Sequence, residues 1–267
     1  MTKRAKDGGG AAVYTDELGR SLVTPSVLRA LHAEGRIARL EDVRAPGSEV
    51  VPVPQEDEAV LFVAFLDAGL RLPCASFVTE VLPLYGVTLA QLTPNSLVKL
   101  GVFEWALRSA GIGEGEGRLF AYLHDGRCQP KKKKDTGETL NFGSVTFQPK
   151  LRYLHYLPIP AARNRWETDW TRRWFYHKCP PNSPLRSCGG PIELIPSPEI
   201  VPSAREDALL SVLRRLFRRM STRDLVEEFC ALRVWPLARA WDIQLGEAED
   251  GLPALRLGER LGLCPCP

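Results

Sequence analysis

The longest uninterrupted apolar run in the chain, AVLFVAFL at residues 59–66, restricts the fold more than any other feature. A run of this length and composition suits either a buried helix or a buried strand. The acidic residues before it and Gly69 behind it favour a helix, because acidic groups suit a helix N-terminus and glycine its C-terminal end. The run is far shorter than the roughly 18–20 apolar residues that span a bilayer, so we expect a core element and no membrane association.

Two Thr-Pro pairs predict helix starts on either side of this run. In Thr24–Pro25 and Thr93–Pro94, the threonine can cap the helix and the proline can occupy its first position. Gly35 can end the first of these helices. The segment CASFVTEVLPLYG predicts another helix, bent or ended near Pro83. Residues 20–125 are therefore predicted to form a helical unit.

The pattern of apolar and polar residues changes from residue 140 onwards. The segment LNFGSVTFQPKLRYLHYLPIP alternates apolar and polar residues, which predicts strands. Further along, REDALLSVLRRLFRRM and STRDLVEEFCALRVW predict two helices that form a hairpin. The predicted fold is thus α+β and mainly helical: an N-terminal helical unit, then a small mixed unit with a few strands and a C-terminal helical hairpin.

These patterns divide the chain into five predicted parts. They are a flexible tail (1–20), the helical unit (20–125), a linker rich in Gly and Lys (126–139), a mixed strand and helix unit (140–245) and an irregular tail (246–267).

The stretch WETDWTRRWFYHK, residues 166–178, holds three of the six tryptophans of the chain. Rings beside Lys and Arg can stack on nucleic-acid bases while the cations hold phosphates. Each large ring also removes about 150–250 Å² from water when buried, so packing in a core is favoured and base stacking is the alternative. The predicted structural aromatic core consists of Trp166, Trp170, Trp174, Phe175 and Tyr176.

Positive charge is concentrated around this stretch. Residues 131–190 carry 12 basic and 4 acidic side chains, a net charge of +8, whereas the whole chain carries +3. Such a local field attracts polyanions, although a solvated linker is the simpler explanation of the four consecutive lysines. The candidates for nucleic-acid contact are Lys131, Lys132, Lys133, Lys134, Arg172, Arg173 and Lys178.

Residues suited to metal or acid–base chemistry are sparse. His177, Cys179 and Cys188 form the one His/Cys cluster, one ligand short of the four that zinc usually takes. Asp67 ends the long apolar run, but no second Asp closes a comparable strand, as a metal-dependent nuclease would need. No P-loop, GxSxG elbow or HExxH helix occurs. We therefore expect no catalytic residue, no metal site, no cofactor, no small-molecule substrate and no enzymatic activity.

The N-terminal residues and the cysteines bear on the compartment. MTKRAKDGGGAA is polar, with no apolar region behind it that would predict a secretory signal. The seven cysteines are odd in number and scattered, which argues against a disulfide framework. We expect an intracellular protein, in the nucleus or the cytoplasm.

Several segments together resemble a known family. SLVTPSVLRALHAEGRI, RAPGSEVVPVPQEDEAVLFVAFLDAGLRLP and LTPNSL, and in particular the turn at Gly69–Pro73 and the helix start at Thr93–Ser96, are similar to the plant family called the putative gypsy-type transposon domain. WFYHK and RDLVEEFCALRVWPLARAW resemble later parts of that family. The resemblance implies a retrotransposon-derived, gag-like protein without catalytic residues. Such a protein is expected to act by association with nucleic acid, with other proteins or with itself.

Overall fold

A computed structural model describes residues 14–72, 76–113, 116–133, 136–156, 169–180, 183, 185 and 191–219. These residues form a mixed α+β structure, which confirms the predicted fold class. Its helices are α1 Pro25–Ala33, α2 Val63–Asp67, α3 Ser76–Leu84, α4 Pro94–Ser109, α5 Gly117–Leu123 and α6 Ala204–Arg219. Its strands are β1 Tyr14–Thr15, β2 Val43–Arg44, β3 Glu58–Phe62, β4 His124–Cys128, β5 Thr139–Leu140, β6 Val145–Pro149 and β7 Trp174–Lys178. Four 3₁₀ turns connect them: Leu40–Asp42, Leu89–Gln91, Leu151–Tyr156 and Trp170–Arg172.

Both Thr-Pro helix starts are confirmed. The Thr24 side chain accepts a hydrogen bond from the backbone N–H of Val27 at the start of α1, and Thr93 accepts one from Ser96 at the start of α4. Each threonine satisfies a backbone donor that the helix itself leaves without a partner. Gly35 follows α1 with a φ of 71°, a left-handed conformation that glycine adopts at little cost.

The helix predicted over the long apolar run is wrong for its first half. Residues Glu58–Phe62 form strand β3, and only Val63–Asp67 are helical. Strand β3 pairs in antiparallel register with β7 along its whole length, for example Val60 with Tyr176 and Phe62 with Trp174. Strand β7 lies more than a hundred residues further along the chain. Its pairing with β3 decides the conformation of this half of the run, whose local sequence favours neither helix nor strand strongly.

Three small sheets organise the described residues. In the first, β7 lies between β2 and β3, with both neighbours antiparallel to it. In the second, β4 and β6 are antiparallel, and in the third, β1 and β5 are parallel. Segments from both sides of the predicted linker therefore pair within one sheet, because β2 and β3 precede it and β7 follows it.

Two further segments differ from their expected conformation. Residues 14–20, expected to belong to a flexible tail, begin with β1, which pairs with β5. The alternating segment Leu151–Tyr156 forms a 3₁₀ turn instead of a strand. The second helix of the predicted C-terminal hairpin lies outside the described residues. Within the described residues, no helix is both long enough and apolar enough to cross a membrane.

Candidate nucleic-acid interface

The rings of the aromatic segment lie in the core. Trp174, Phe175 and Tyr176 are fully buried on β7, and Trp170 is only 6% exposed. The Trp170 ring packs edge-on against Phe62, with the two ring centres 5.1 Å apart. These four rings hold the fold together and leave no face free for a nucleic-acid base. Trp166 lies outside the described residues.

The polar atoms of these rings also have internal partners. The Trp174 indole Nε1 donates to the backbone carbonyl of Gly19 at 3.1 Å, and the Tyr176 hydroxyl accepts from the backbone N–H of Val53 at 2.8 Å. Buried indole and phenol groups usually need such a partner. The aromatic segment is therefore joined to the N-terminal segment and to the loop between β2 and β3.

The described lysines of the basic run have three different environments. The Lys131 ammonium lies 4.2 Å from the ring centre of Trp170, and burial lowers the pKa of Lys131 to about 8. The Lys133 ammonium forms an ion pair with Glu17 at 2.9 Å. Lys132 is exposed, and Lys134 lies outside the described residues. Of the three described lysines, Lys132 is thus the one that is exposed.

The candidate cations at residues 172–178 fall at two places. Arg172 is exposed on the same 3₁₀ turn as Trp170, and its guanidinium donates to the backbone carbonyl of Arg20 at 3.4 Å. Arg173, next to it, is half-buried. Lys178 is exposed at the far end of β7, opposite Glu58. With a rise of about 3.3 Å per residue, Lys178 lies on the order of 13 Å from the start of that strand.

The structure thus gathers part of the predicted site. Lys131 packs on Trp170, Arg172 shares the turn of Trp170, and Lys132 is adjacent to Lys131 in the chain. Lys133 is engaged with an acidic side chain, and Lys178 lies apart. Sequence spacing alone could not show this division, because Glu17, which pairs with Lys133, lies far from it in the sequence.

The structure shows where the described candidates for metal or acid–base chemistry lie. Among the described residues, no group of three or more His, Cys, Asp or Glu side chains is arranged to hold a metal ion. Cys179 is buried, and Cys188 lies outside the described residues. Asp67 forms an ion pair with Arg36.

Sequence reasoning missed the polar side chains that join α4 to the second sheet and α3 to α5. The Ser96 hydroxyl donates to the backbone carbonyl of Val145 at 2.8 Å, and the Lys99 ammonium donates to that of Phe147. The Glu80 carboxylate accepts from the backbone N–H of Gly117 at 3.1 Å. The Thr-Pro-Asn-Ser helix start signals a cap at Thr93, but nothing local signals the contact of Ser96 with β6.

Comparison with known proteins identifies the region in which these contacts lie. Residues 60–112, from β3 to the end of α4, match the family model described as "Putative gypsy type transposon". No curated protein and no solved structure matches the chain. The match confirms the resemblance expected from the residues around Gly69 and Thr93. Over residues 60–112, the chain is therefore similar to the gypsy-type transposon family.

Proposed function

We propose that this retrotransposon-derived chain works without catalysis, by associating with protein or nucleic acid inside the cell, in the nucleus or the cytoplasm. The observation that carries the proposal is the way the matched region uses its polar side chains. Those that the structure describes hold backbone groups and neighbouring elements in place, as a scaffold requires.

Four side chains within residues 60–112 illustrate this use. The buried Arg71 guanidinium donates to the backbone carbonyls of Leu66 and Leu70 at 2.7 and 2.8 Å. The Gln91 side chain accepts from the backbone N–H of Thr88 at 3.0 Å and completes a capping box. Ser96 and Lys99 hold the backbone of β6. Buried polar groups that are satisfied in this way stabilise one arrangement of the chain.

The direct test is a comparison of cleavage and association with the same purified chain. We expect no cleavage of single-stranded or double-stranded nucleic acid in Mg²⁺ or Mn²⁺. We expect association in at least one of two measurements: sedimentation of the protein alone at rising concentration, or binding to labelled nucleic acid. Metal-dependent cleavage that disappears in Asp67→Asn would overturn the proposal, and so would the absence of both kinds of association.

Sequence-independent binding of nucleic acid is the second candidate function. It is favoured by two exposed cations, Lys132 and Arg172, beside the Lys131–Trp170 pair, in a segment with a net charge of +8. Because phosphate contacts release counterions, affinity should fall steeply with salt. The contacts would be made by the exposed cations alone, since the rings are buried.

Matched charge variants test this second function. Lys132→Ala with Arg172→Ala should weaken binding to a single-stranded oligonucleotide. It should also reduce the slope of log K against log salt by about 1.4, which is ~0.7 for each lost phosphate contact. Arg29→Ala with Arg127→Ala removes the same charge from exposed positions outside the segment. Equal losses in the two double variants, or an affinity that salt does not change, would rule out this interface.

A further inference from the structure

Two partly exposed tyrosine rings lie together on a surface away from the aromatic segment. Among the Trp, Phe and Tyr side chains whose burial the structure describes, all are buried except those of Tyr14, Tyr122 and Tyr153. Tyr122 on α5 and Tyr153 on the 3₁₀ turn Leu151–Tyr156 lie against each other, with ring centres 4.8 Å apart and ring planes tilted by 36°. A ligand that stacks on aromatic rings needs rings that are accessible in this way.

The guanidinium of Arg152 lies over one of these rings. Its central carbon is 4.7 Å from the ring centre of Tyr153, and the Arg152 side chain is exposed. In the part of the chain that the structure describes, no carboxylate lies within ion-pair distance of Arg152. Helix α6 packs against the same turn, yet Leu151 and Arg152 stay exposed beside it. Arg152 is therefore a cation supported by an aromatic ring and open to a ligand.

Backbone contacts hold the turn against α5. The backbone N–H of Lys150 donates to the carbonyl of Leu123 at 2.9 Å, and the Lys150 ammonium donates to that of Ala121 at 3.1 Å. The backbone N–H of Tyr153 donates to the carbonyl of Lys150 at 2.8 Å. The two rings are thus placed side by side before any ligand binds, which lowers the cost of binding.

The charge around the turn favours a polyanion as the ligand. The turn belongs to the segment 131–190, which carries a net charge of +8. The carboxylate of Asp125 lies 3.9 Å from the Lys150 ammonium, which offsets its charge. A guanidinium on an aromatic ring offers a plane on which a base stacks, and its N–H groups can donate to a phosphate.

We propose that Tyr122, Tyr153 and Arg152, here called the stacking platform, bind a base of single-stranded nucleic acid. The base stacks on the platform, and the N–H groups of the Arg152 guanidinium donate to a phosphate beside it. A single strand is required because the bases of a duplex are already stacked on one another. This inference rests on the proposed association function and names its ligand.

The test compares two strands of equal length and charge: oligothymidylate, and a strand in which every nucleotide lacks its base. Each labelled strand is titrated with the purified full chain, and binding is followed by fluorescence anisotropy. The strands carry the same phosphates, so the electrostatic contribution cancels in the ratio of the two affinities. Stacking of one base should make oligothymidylate bind roughly fivefold to a hundredfold more tightly.

Arg152→Lys is the decisive variant, because lysine keeps the charge and lacks the planar guanidinium. It should lower the affinity ratio by about threefold or more and leave the salt dependence unchanged. Arg29→Lys, at an exposed position on α1, is the matched control and should change neither. Tyr122→Leu removes one ring and should also lower the ratio, provided that urea denaturation shows it to be folded. If it is unfolded, Arg152→Lys decides alone.

The same pair of strands separates the platform from the interface at Lys132 and Arg172. Lys132→Ala with Arg172→Ala removes phosphate contacts only, so it should weaken the binding of both strands equally and leave their ratio unchanged. Loss of the ratio in that double variant, with a normal ratio in Arg152→Lys, would place the stacked base at the other site and overturn the platform.

A wild-type ratio near one, or no binding of either strand, would likewise exclude the stacking platform. If Leu151→Ala then weakens association of the protein with itself in sedimentation, this surface contacts protein, and the proposed association function stands without nucleic acid. If the wild type binds neither strand and does not associate with itself, the proposed function fails together with the platform.

Discussion

The indole Nε1 of Trp174 donates a hydrogen bond to the backbone carbonyl of Gly19 across 3.1 Å, although the two residues lie 155 positions apart. The backbone carbonyl of Trp174 accepts in turn from the Ser21 hydroxyl at 2.5 Å. Because β7 is the central strand of its sheet, these bonds tie the N-terminal segment to the middle of the core. The Trp174 ring is fully buried, so the burial of its apolar area and the hydrogen bond from its N–H both stabilise the fold.

Replacing this ring should therefore destabilise the protein in two separable steps. Trp174→Phe keeps an aromatic ring but leaves the Gly19 carbonyl without its donor, and we expect a loss of about 1–2 kcal/mol in the free energy of unfolding. Trp174→Ala also opens a cavity, with a loss of about 3–5 kcal/mol. Urea denaturation measures both. Leu151→Ala is the surface control, since Leu151 is 85% exposed, and a similar loss there would contradict the argument.

A second prediction concerns the close approach of Gly143 to Trp170. Gly143 has a φ of 63°, and a Cβ atom there would lie 2.6 Å from Cη2 of the indole. Gly137 has a similar φ of 72° with open space around it. Gly137→Ala should cost about 1 kcal/mol for the left-handed backbone alone. Gly143→Ala should cost some 1–3 kcal/mol more, because the ring must move. Equal losses in denaturation experiments would show that the contact does not constrain the turn.

The features that the sequence predicts correctly are set by neighbours along the chain. Thr24 and Thr93 cap helices because the donors they satisfy lie within three residues of them. Strand β3 could not be predicted in this way, because the strand that fixes its conformation begins at Trp174. The position of Pro196 likewise depends on Gly126, whose backbone N–H donates to the Pro196 carbonyl and to which no local pattern connects it.

The same distinction applies to the candidate interface. Burial of Trp170 and Trp174 follows from the large apolar area of each ring, a property of the residue itself. The contacts of Lys131 and Lys133 within the protein depend on partners that lie near them only in the folded chain, namely Trp170 and Glu17. A charge count over the segment therefore overestimates the number of cations that are presented to solvent.

A third prediction is a loss of stability in acid that is due to His124. Its ring stacks on Phe120 with centres 3.9 Å apart, and its Nδ1–H donates to the Phe120 carbonyl at 3.0 Å. Burial lowers the pKa of His124 to about 3, and the nearby Lys99 and Lys150 act in the same direction. The folded state therefore holds the neutral ring, whereas the unfolded chain binds a proton near pH 6.5.

The sign of the effect follows from this difference. The neutral ring contributes its full stability above pH 6.5, and the contribution is lost as pH falls from there towards 3. At pH 4.5 the loss should be on the order of 2–3 kcal/mol, from 1.36 kcal/mol for each pH unit. His124→Phe keeps a ring without the titration and should flatten the dependence of unfolding free energy on pH between 7 and 4.5. An unchanged slope in that variant would exclude His124 as the cause.

The fourth prediction concerns the buried carboxylate of Glu58, which is 4% exposed on β3. It accepts two hydrogen bonds from Arg44, at 2.9 and 2.6 Å, and one from the backbone N–H of Gln55 at 2.8 Å. Burial raises the pKa of Glu58, but these bonds outweigh it and hold the pKa below its usual value. Arg44→Met removes the cation and leaves the burial, so the pKa of Glu58 should rise above its usual value.

We expect Arg44→Met to lower the free energy of unfolding at pH 7 by about 3 kcal/mol, because it leaves a buried carboxylate unpaired. The deficit should shrink as pH falls towards 4, since protonation relieves the unpaired charge. Adding Glu58→Met should recover part of the loss at pH 7. Arg39→Met, which breaks a solvent-exposed pair with Asp42, should change stability much less than Arg44→Met does. A deficit in Arg44→Met that grows in acid would contradict this account, because it would mean that the carboxylate remains favourably charged without its arginine.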